Sequence, residues 1–261
     1  MTPSQCFSHT TAAALWGIPL PAVHESEQRI HVSALDGTRP RLRGVVGHDL
    51  HSDRVGLARI SGLPVTDAVS TFLQLSTMLA FDDLVAAADH LILTPRAQAI
   101  QTRPFVKTEE LIDSVRLFHG RGKTVARSAA RWMRDGAESR QETRLRLELL
   151  RAGLPDPELN TPICDAAGRF LAFGDIVFPR WKVLVEYDGD QHRTSPEQYR
   201  RDIERHDALV RADWRHLRGG LHTPEAGTHS LPSLTRAALT QRGWSAEPSL
   251  FTPPGRFWRG K

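Results

Sequence analysis

The stretch VLVEYDGDQHR, Val183 to Arg193, constrains the fold more than any other part of the chain. Val183, Leu184 and Val185 are consecutive and apolar, as in a strand buried on both faces. That strand runs straight into Glu186, Asp188, Asp190 and His192. Like charges at this spacing repel, and carboxylates removed from water resist ionisation, so the strand end calls for a positive partner. Upstream, GDIVFPRWKVLVEYDG sets another acid against it. If Pro179 to Lys182 form a four-residue hairpin loop, Asp175 lies directly opposite Glu186, with Cβ atoms about 4.5–5.5 Å apart. A two-residue loop instead keeps the two on one face but diagonally offset. Alternation adds Asp188 to the face of Glu186. Asp175, Glu186 and the Tyr187 carbonyl, with Asp188 close by, make a hard oxygen set suited to Mg2+ or Mn2+.

Glu142 has two readings. On its helix Glu138, Glu142, Leu145 and Leu149 share a stripe, which puts Glu142 at the rim of the buried face. Ser139 and Glu142 equally fit an S-x-x-E capping box. His192, just past the strand, is the candidate proton carrier, with Gln191 as an alternative for positioning a nucleophilic water. No second histidine or cysteine stands at ligand spacing, so zinc is not suggested.

Around this strand, residues 137–222 read as helix, strand, strand, helix, strand. ESRQETRLRLELLRAG and SPEQYRRDIERHDALVRA are the helices, the latter with Pro196 in its first turn and Tyr199, Ile203 and Val210 on one face. WRHLR closes the unit as a strand. Residues 1–60 begin with a short helix in FSHTTAAALWGIPLP, stopped by Gly17 and Pro19, followed by a hairpin of RIHVSA and RLRGVVGH around LDGTRP. A helix followed by a basic hairpin suggests a winged-helix-like DNA-binding region. Arg39, Arg41 and Arg43 then form either a wing on the DNA backbone or an exposed strand edge. Residues 61–136 read as mostly helical, with Asp82, Asp83, Asp89 and His90 as surface and capping residues, and residues 223–261 as a Pro-rich extension.

The 34 basic and 30 acidic residues leave a formal charge of +4, but arginines gather after the acidic strand. Arg200, Arg201 and Arg205 are candidate phosphate contacts, although Arg205 also stands at i,i+3 from Asp202. Cys6 and Cys164 are far apart and form no CxxC, so neither a disulfide framework nor a thiolate zinc site is suggested. No run approaches the roughly 18 apolar residues of a membrane span. The first residues lack the pattern of a secretory signal, so a cytoplasmic protein is expected.

In order, ESRQETRLRLELLRAGLPDPELN, GDIVFP, VLVEYDGDQHR and QYRRDIERHDALVRADWRHLR resemble the domain family of unknown function 559. That family is related to the very-short-patch repair endonucleases of the PD-(D/E)XK superfamily. The resemblance covers about a third of the chain and implies a restriction-endonuclease-like mixed sheet flanked by helices, hence an α+β protein. It implies Glu142, Asp175 and Glu186 as the helix, strand and second strand acids, and His192 near the repair enzymes' catalytic histidine. Where the superfamily has a lysine, this chain has Asp188, so His192, Gln191 or an arginine must take over its role. SHTTAAALWGIPLP and LPVTDAVSTFLQLS are similar to the AbiEi antitoxin group, which implies DNA binding by the first half. The expectation is a Mg2+-dependent DNA endonuclease acting in repair, phage defence or a toxin–antitoxin system. The alternative is a non-catalytic, antitoxin-like DNA-binding regulator on a nuclease scaffold.

Overall fold

The computed structural model describes residues 2–96, 102–188, 196–220, 227–246 and 252–259, without the side chains of Pro196, Gln198 and Tyr199. The protein is α+β and divides into two units, Met1–Asp135 with Pro254–Lys261, and Gly136–Pro253. Among the described residues no helix is long and apolar enough to cross a membrane.

In the first unit the order is β1 (Gln5–Phe7), α1 (His9–Leu15), α2 (Ala22–Glu25), β2 (Ile30–Leu35), β3 (Val45–Leu50), β4 (Leu57–Ile60), β5 (Leu63–Thr66), α3 (Ala68–Leu75), α4 (Phe81–Ile92), α5 (Thr108–Leu117) and α6 (Lys123–Trp132). The strands form one sheet in the order β3-β2-β1-β5-β4. Ser61 and Gly62, both with positive φ (49° and 80°), join β4 to β5 in the tight primed turn that suits a twisted hairpin. Asp67 caps α3 by accepting from the Ser70 N–H at 2.7 Å.

Two expectations fail here. β2 and β3 pair in parallel, Ile30 beside Val45, so they cannot be the arms of a hairpin. The connection, residues 36–44, spans up to about 30 Å when extended, enough to return along a six-residue strand. It passes close over β3, where a Cβ on Gly47 would lie 2.1 Å from the Pro40 carbonyl oxygen. Arg39, Arg41 and Arg43 are exposed, but on this return segment rather than on a wing. The other failure is α4. Its apolar residues cover all sides, so the helix is engulfed, and Asp82, Asp83 and Asp89 are buried with it at 2%, 8% and 1% exposure. Asp89 accepts from the Arg134 backbone N–H at 2.7 Å, and the His90 ring reaches the Trp16 carbonyl at 3.0 Å.

The second unit runs α7 (Arg140–Arg151), β6 (Glu158–Cys164), β7 (Phe170–Phe178), β8 (Val183–Tyr187), α8 (Pro196–Arg211), β9 (Arg215–Gly219) and α9 (Leu231–Gln241). Its sheet has the order β6-β7-β8-β9, antiparallel except for the parallel pair β8 and β9. A parallel neighbour requires a crossover, and the chain between β8 and β9 contains α8. On one face, Ile176, Phe178, Val183, Val185 and Leu217 pack with Leu145 and Leu149 of α7 and Leu239 of α9. On the other, Val177 and Leu184 pack with Ile163 and with Leu209 of α8. β8 therefore is apolar on both faces until Glu186. Ile203 and Val210, expected on the inner face of α8, are exposed at 44% and 54%, and Leu209 turns inward instead. Residues beyond 223 do not form one extension. α9 completes this core, while residues 254–261 join the first unit.

Candidate active site

Pro179–Trp181 make one 3-10 turn, and Lys182 follows at φ 48°. The connection between β7 and β8 is thus the four-residue loop, and the register pairs Ile176 with Val185 and Val177 with Leu184. Continued by one residue, that register sets Asp175 opposite Glu186. The two acids share a sheet face, yet the fold treats them differently.

Glu186 is 7% exposed and well supplied with partners. Arg205 of α8 grips both its oxygens and also donates to the Phe173 carbonyl at 2.6 Å. From β9, His216 Nε2 lies 2.7 Å from Oε2 and Arg218 Nε 3.7 Å from it. Burial alone would push this carboxyl up, but the His216 hydrogen bond and the charges of Arg205 and Arg218 hold it below the usual range. An ionised carboxylate only accepts, so His216 carries a proton on Nε2. Its Nδ1 faces His206 Nδ1 at 3.2 Å.

Asp175 has no such escort. Its carboxyl accepts the Tyr187 backbone N–H and lies within the field of Arg205, but burial, then Glu142, then Glu186 push its pKa up to about 7. Glu142 is held by the Ser139 cap and lies within the field of Asp175, but its side chain reaches back to the Glu138 N–H rather than closing a capping box on Ser139. Its N–H donates to Ser139 Oγ at 3.1 Å as the helix cap, and its Oε2 accepts from the Glu138 N–H at 2.9 Å and from Asn160 Nδ2 at 3.1 Å. Burial raises its pKa too, with Glu138 adding to the effect. Glu142 and Asp175 thus form an acidic pair whose repulsion the neighbouring cations only partly relieve.

The other candidates fall out as follows. Asp188 is half-buried just past β8, its N–H donating to the Gly219 carbonyl at 2.7 Å. Gln191 and His192 lie outside the described residues. Arg200 and Arg201 are exposed on α8, with Arg200 Nε 3.8 Å from Glu204. Arg205 is a partner of Glu186 rather than a free phosphate contact or an i,i+3 partner of Asp202. Sequence reasoning missed His216 and Asn160 altogether. His216 and Arg218 are two residues apart on β9, paired with Leu184 and Glu186, so a parallel pairing of WRHLR with VLVEY would have exposed them.

Chemically, the site offers oxygen donors from α7, β7 and the end of β8. A carboxyl with a pKa near neutrality is suited to exchange a proton or to take a hard cation that relieves the repulsion.

The chain is similar to two uncharacterized proteins from two strains of Mycobacterium tuberculosis, 29% identical to each over 207 residues, which is 78% of this chain and 70% of each relative. No protein-family profile and no solved structure matches it.

Proposed function

We propose that the second unit is a metal-dependent nuclease domain that hydrolyses phosphodiester bonds in DNA. The observation that carries this reading is Asp175. Its carboxyl, on β7, is pushed up to about 7 by burial, Glu142 and Glu186, and a divalent cation bound there would relieve that repulsion. The donors are all oxygens, which fits Mg2+ or Mn2+. Asp175, Glu142 and the Tyr187 carbonyl would hold the ion, with Glu186 joining when Arg205 swings away. Arg205 and Arg218 both have part-exposed side chains, at 28% and 38%, and Arg205 lies on the same helix as exposed Arg200 and Arg201. A backbone phosphate arriving at α8 would compete for Arg205 and release a carboxylate oxygen. His216 would keep Glu186 oriented through that exchange. A bound Mg2+ or Mn2+ would polarise the phosphate and acidify an attacking water.

A second reading has its own support. Glu186 is already paired with Arg205 and Arg218 and hydrogen-bonded to His216, as expected if the nuclease-like unit were a scaffold for a DNA-binding regulator. Cleavage assays on single-stranded, duplex and mismatched DNA, with and without Mg2+ or Mn2+, separate the two. Cation-dependent cleavage lost in Asp175→Asn supports the enzyme. DNA binding without cleavage under every condition supports the scaffold.

A further inference from the structure

The first unit holds a second cluster of ligating groups, built from other chemistry and independent of the acidic site. His9 opens α1, His31 lies on β2 and His48 on β3, and one ring nitrogen from each lies within 4.8 Å of the others. The β2–β3 register pairs Ser33 with His48, so His31 stands one diagonal step away on the same face. His31 Nδ1 and His48 Nε2 are 2.9 Å apart, and the His9 and His48 rings stack with centroids 3.7 Å apart. His9 reaches the cluster with its backbone at φ 51°, a left-handed conformation costing on the order of 1 kcal/mol. Its N–H is held by Gln74 Oε1 at 2.8 Å.

The surrounding polar groups fix which nitrogens face inward. Glu27 Oε2 stands 3.4 Å from His31 Nε2. A carboxylate only accepts, so the His31 proton sits on Nε2 and the Nδ1 lone pair points at His48. Ser8 Oγ lies 3.0 Å from His9 Nδ1 and itself accepts from Ser33 Oγ at 2.7 Å, which leaves His9 Nε2 for another partner. Burial is the first cause that keeps each ring neutral. Together with the neighbouring imidazoles it lowers His9 to about 3 and His48 to about 4, and it lowers His31 despite Glu27. In this arrangement His48 Nε2–H donates to the His31 Nδ1 lone pair, so ligation requires the His48 proton to move to its own Nδ1. Three neutral imidazoles, one of them backed by a carboxylate, are then the donor set of borderline transition metals.

We propose that His9, His31 and His48 form a three-imidazole site for a divalent transition metal of the Zn2+ class, with Glu27 positioning His31. Zn–N bonds of about 2.0–2.1 Å in a tetrahedral set place ligand nitrogens roughly 3.4 Å apart. The His31 and His48 nitrogens, 2.9 Å apart, therefore open by about half an ångström on binding, while His9 moves in from within 4.8 Å. His9 leaves its stack on His48 to do so. Three protein ligands leave a fourth position for water or an external donor.

The test is a titration of the untagged 261-residue chain, stripped of metal, with Zn2+ and with Co2+. The expected result is one equivalent bound at the cluster, the intense visible bands of tetrahedral Co2+, and a rise in Tm with Zn2+. His9→Gln and His48→Gln should each lose the bands and the Tm rise while keeping the metal-free Tm. Glu27→Gln should weaken binding by roughly 10–100-fold and keep the bands. Asp175→Asn should change neither, which separates this site from the acidic one. His31 is only 3% exposed, so its replacement risks the fold, and the test rests on His9 and His48. No bands and no Tm rise in the wild type, bands that survive both glutamine variants, or bands lost in Asp175→Asn would overturn the proposal.

Discussion

The acidic cluster of the second unit and the histidine cluster of the first meet one physical problem from opposite sides. Both remove titratable groups from water, and burial disfavours the charged form in each. In the histidine cluster the neutral form is the ligating form, so burial prepares the site and costs no charge repulsion. In the acidic cluster the ligating form is the anion, so burial opposes it. The protein answers with Arg205, His216 and Arg218 around Glu186, leaving Asp175 and Glu142 under-compensated. On the proposed reading, a hard cation would relieve the anions that lack escorts. A softer one finds its donors already neutral. Within the acidic cluster the same contrast separates Asp175, pushed up to about 7, from Glu186, held below the usual range.

The largest expected effect tests that contrast through chemistry. Asp175→Asn keeps the shape of the side chain and removes its charge, so Mg2+-dependent cleavage should fall by roughly 10²–10⁴-fold, the range typical of a lost catalytic carboxyl. Duplex binding, measured by fluorescence anisotropy, should persist. A variant that still cleaves within tenfold of the wild type would move the ion elsewhere.

Stability should respond with opposite signs at the two opposed acids. Glu186→Gln leaves Arg205 and Arg218 without their counter-charge and weakens the hydrogen bond from the buried His216 ring, at a cost of about 3 kcal/mol by chemical denaturation. Asp175→Asn, without metal at neutral pH, should be neutral or stabilising, because it removes a strained anion. Equal losses in both variants would show that Asp175 is escorted as well as Glu186.

How much of this was readable in the chain follows from sequence distance. Asp175 and Glu186 are joined by a short hairpin, so alternation put them on one face for either loop length, and the observed four-residue loop sets them opposite each other. Glu142 and Ser139 carried their cap in four consecutive residues. The two long helices and the strands β8 and β9 of the second unit were legible for the same local reason, whereas β6 and β7 were read as one strand and α9 was not read at all. His216 was not, because β9 joins β8 across the segment that contains α8, and parallel register leaves no local trace. β2 and β3 misled outright. A Gly- and Pro-containing stretch between two β-rich runs reads as a hairpin, and only Gly47 beneath Pro40 makes the parallel return possible. That same pairing brings His31 and His48 together, so the histidine cluster was invisible to any search by ligand spacing. The three buried aspartates of α4 were misread because charge suggests surface, whereas tertiary packing engulfed the whole helix.

A pH titration of stability should show the two opposed acids pulling in opposite directions. The Asp175 pKa is raised from its ordinary value of 3.8 to about 7, so between about pH 4 and 7 the folded chain binds more protons there than the unfolded chain. Its contribution is full below that window and is lost as pH rises through it, with a slope of about 1 kcal/mol per pH unit. Glu186 is lowered, so its contribution is present above its unfolded value and is lost as pH falls through the folded one. Asp175→Asn should remove the loss on the neutral side and keep the acid loss. Denaturation midpoints measured from pH 3 to 8 in wild type and variant would show it. Saturating Mg2+ should flatten the same neutral-side slope in the wild type alone, because a bound cation favours the anion.

The smallest expected effect asks whether the first unit holds DNA while the second cuts it. Arg39, Arg41 and Arg43 are exposed on the return segment between β2 and β3. Exposed substitutions of this kind change stability by less than about 0.5 kcal/mol each, so the triple alanine variant should fold and melt almost as the wild type does. If the three side chains neutralise backbone phosphates, duplex affinity should weaken evenly across sequences. The slope of log K against log salt should become shallower by roughly 0.9 for each phosphate no longer neutralised, at most about 3 for all three. Cleavage at saturating DNA should be unchanged, because these arginines lie outside the acidic cluster. An unchanged salt slope would make them a solvated edge and shift the duplex-binding role to Arg200 and Arg201 on α8. A change in cleavage at saturating DNA would instead deny the division of labour between the two units.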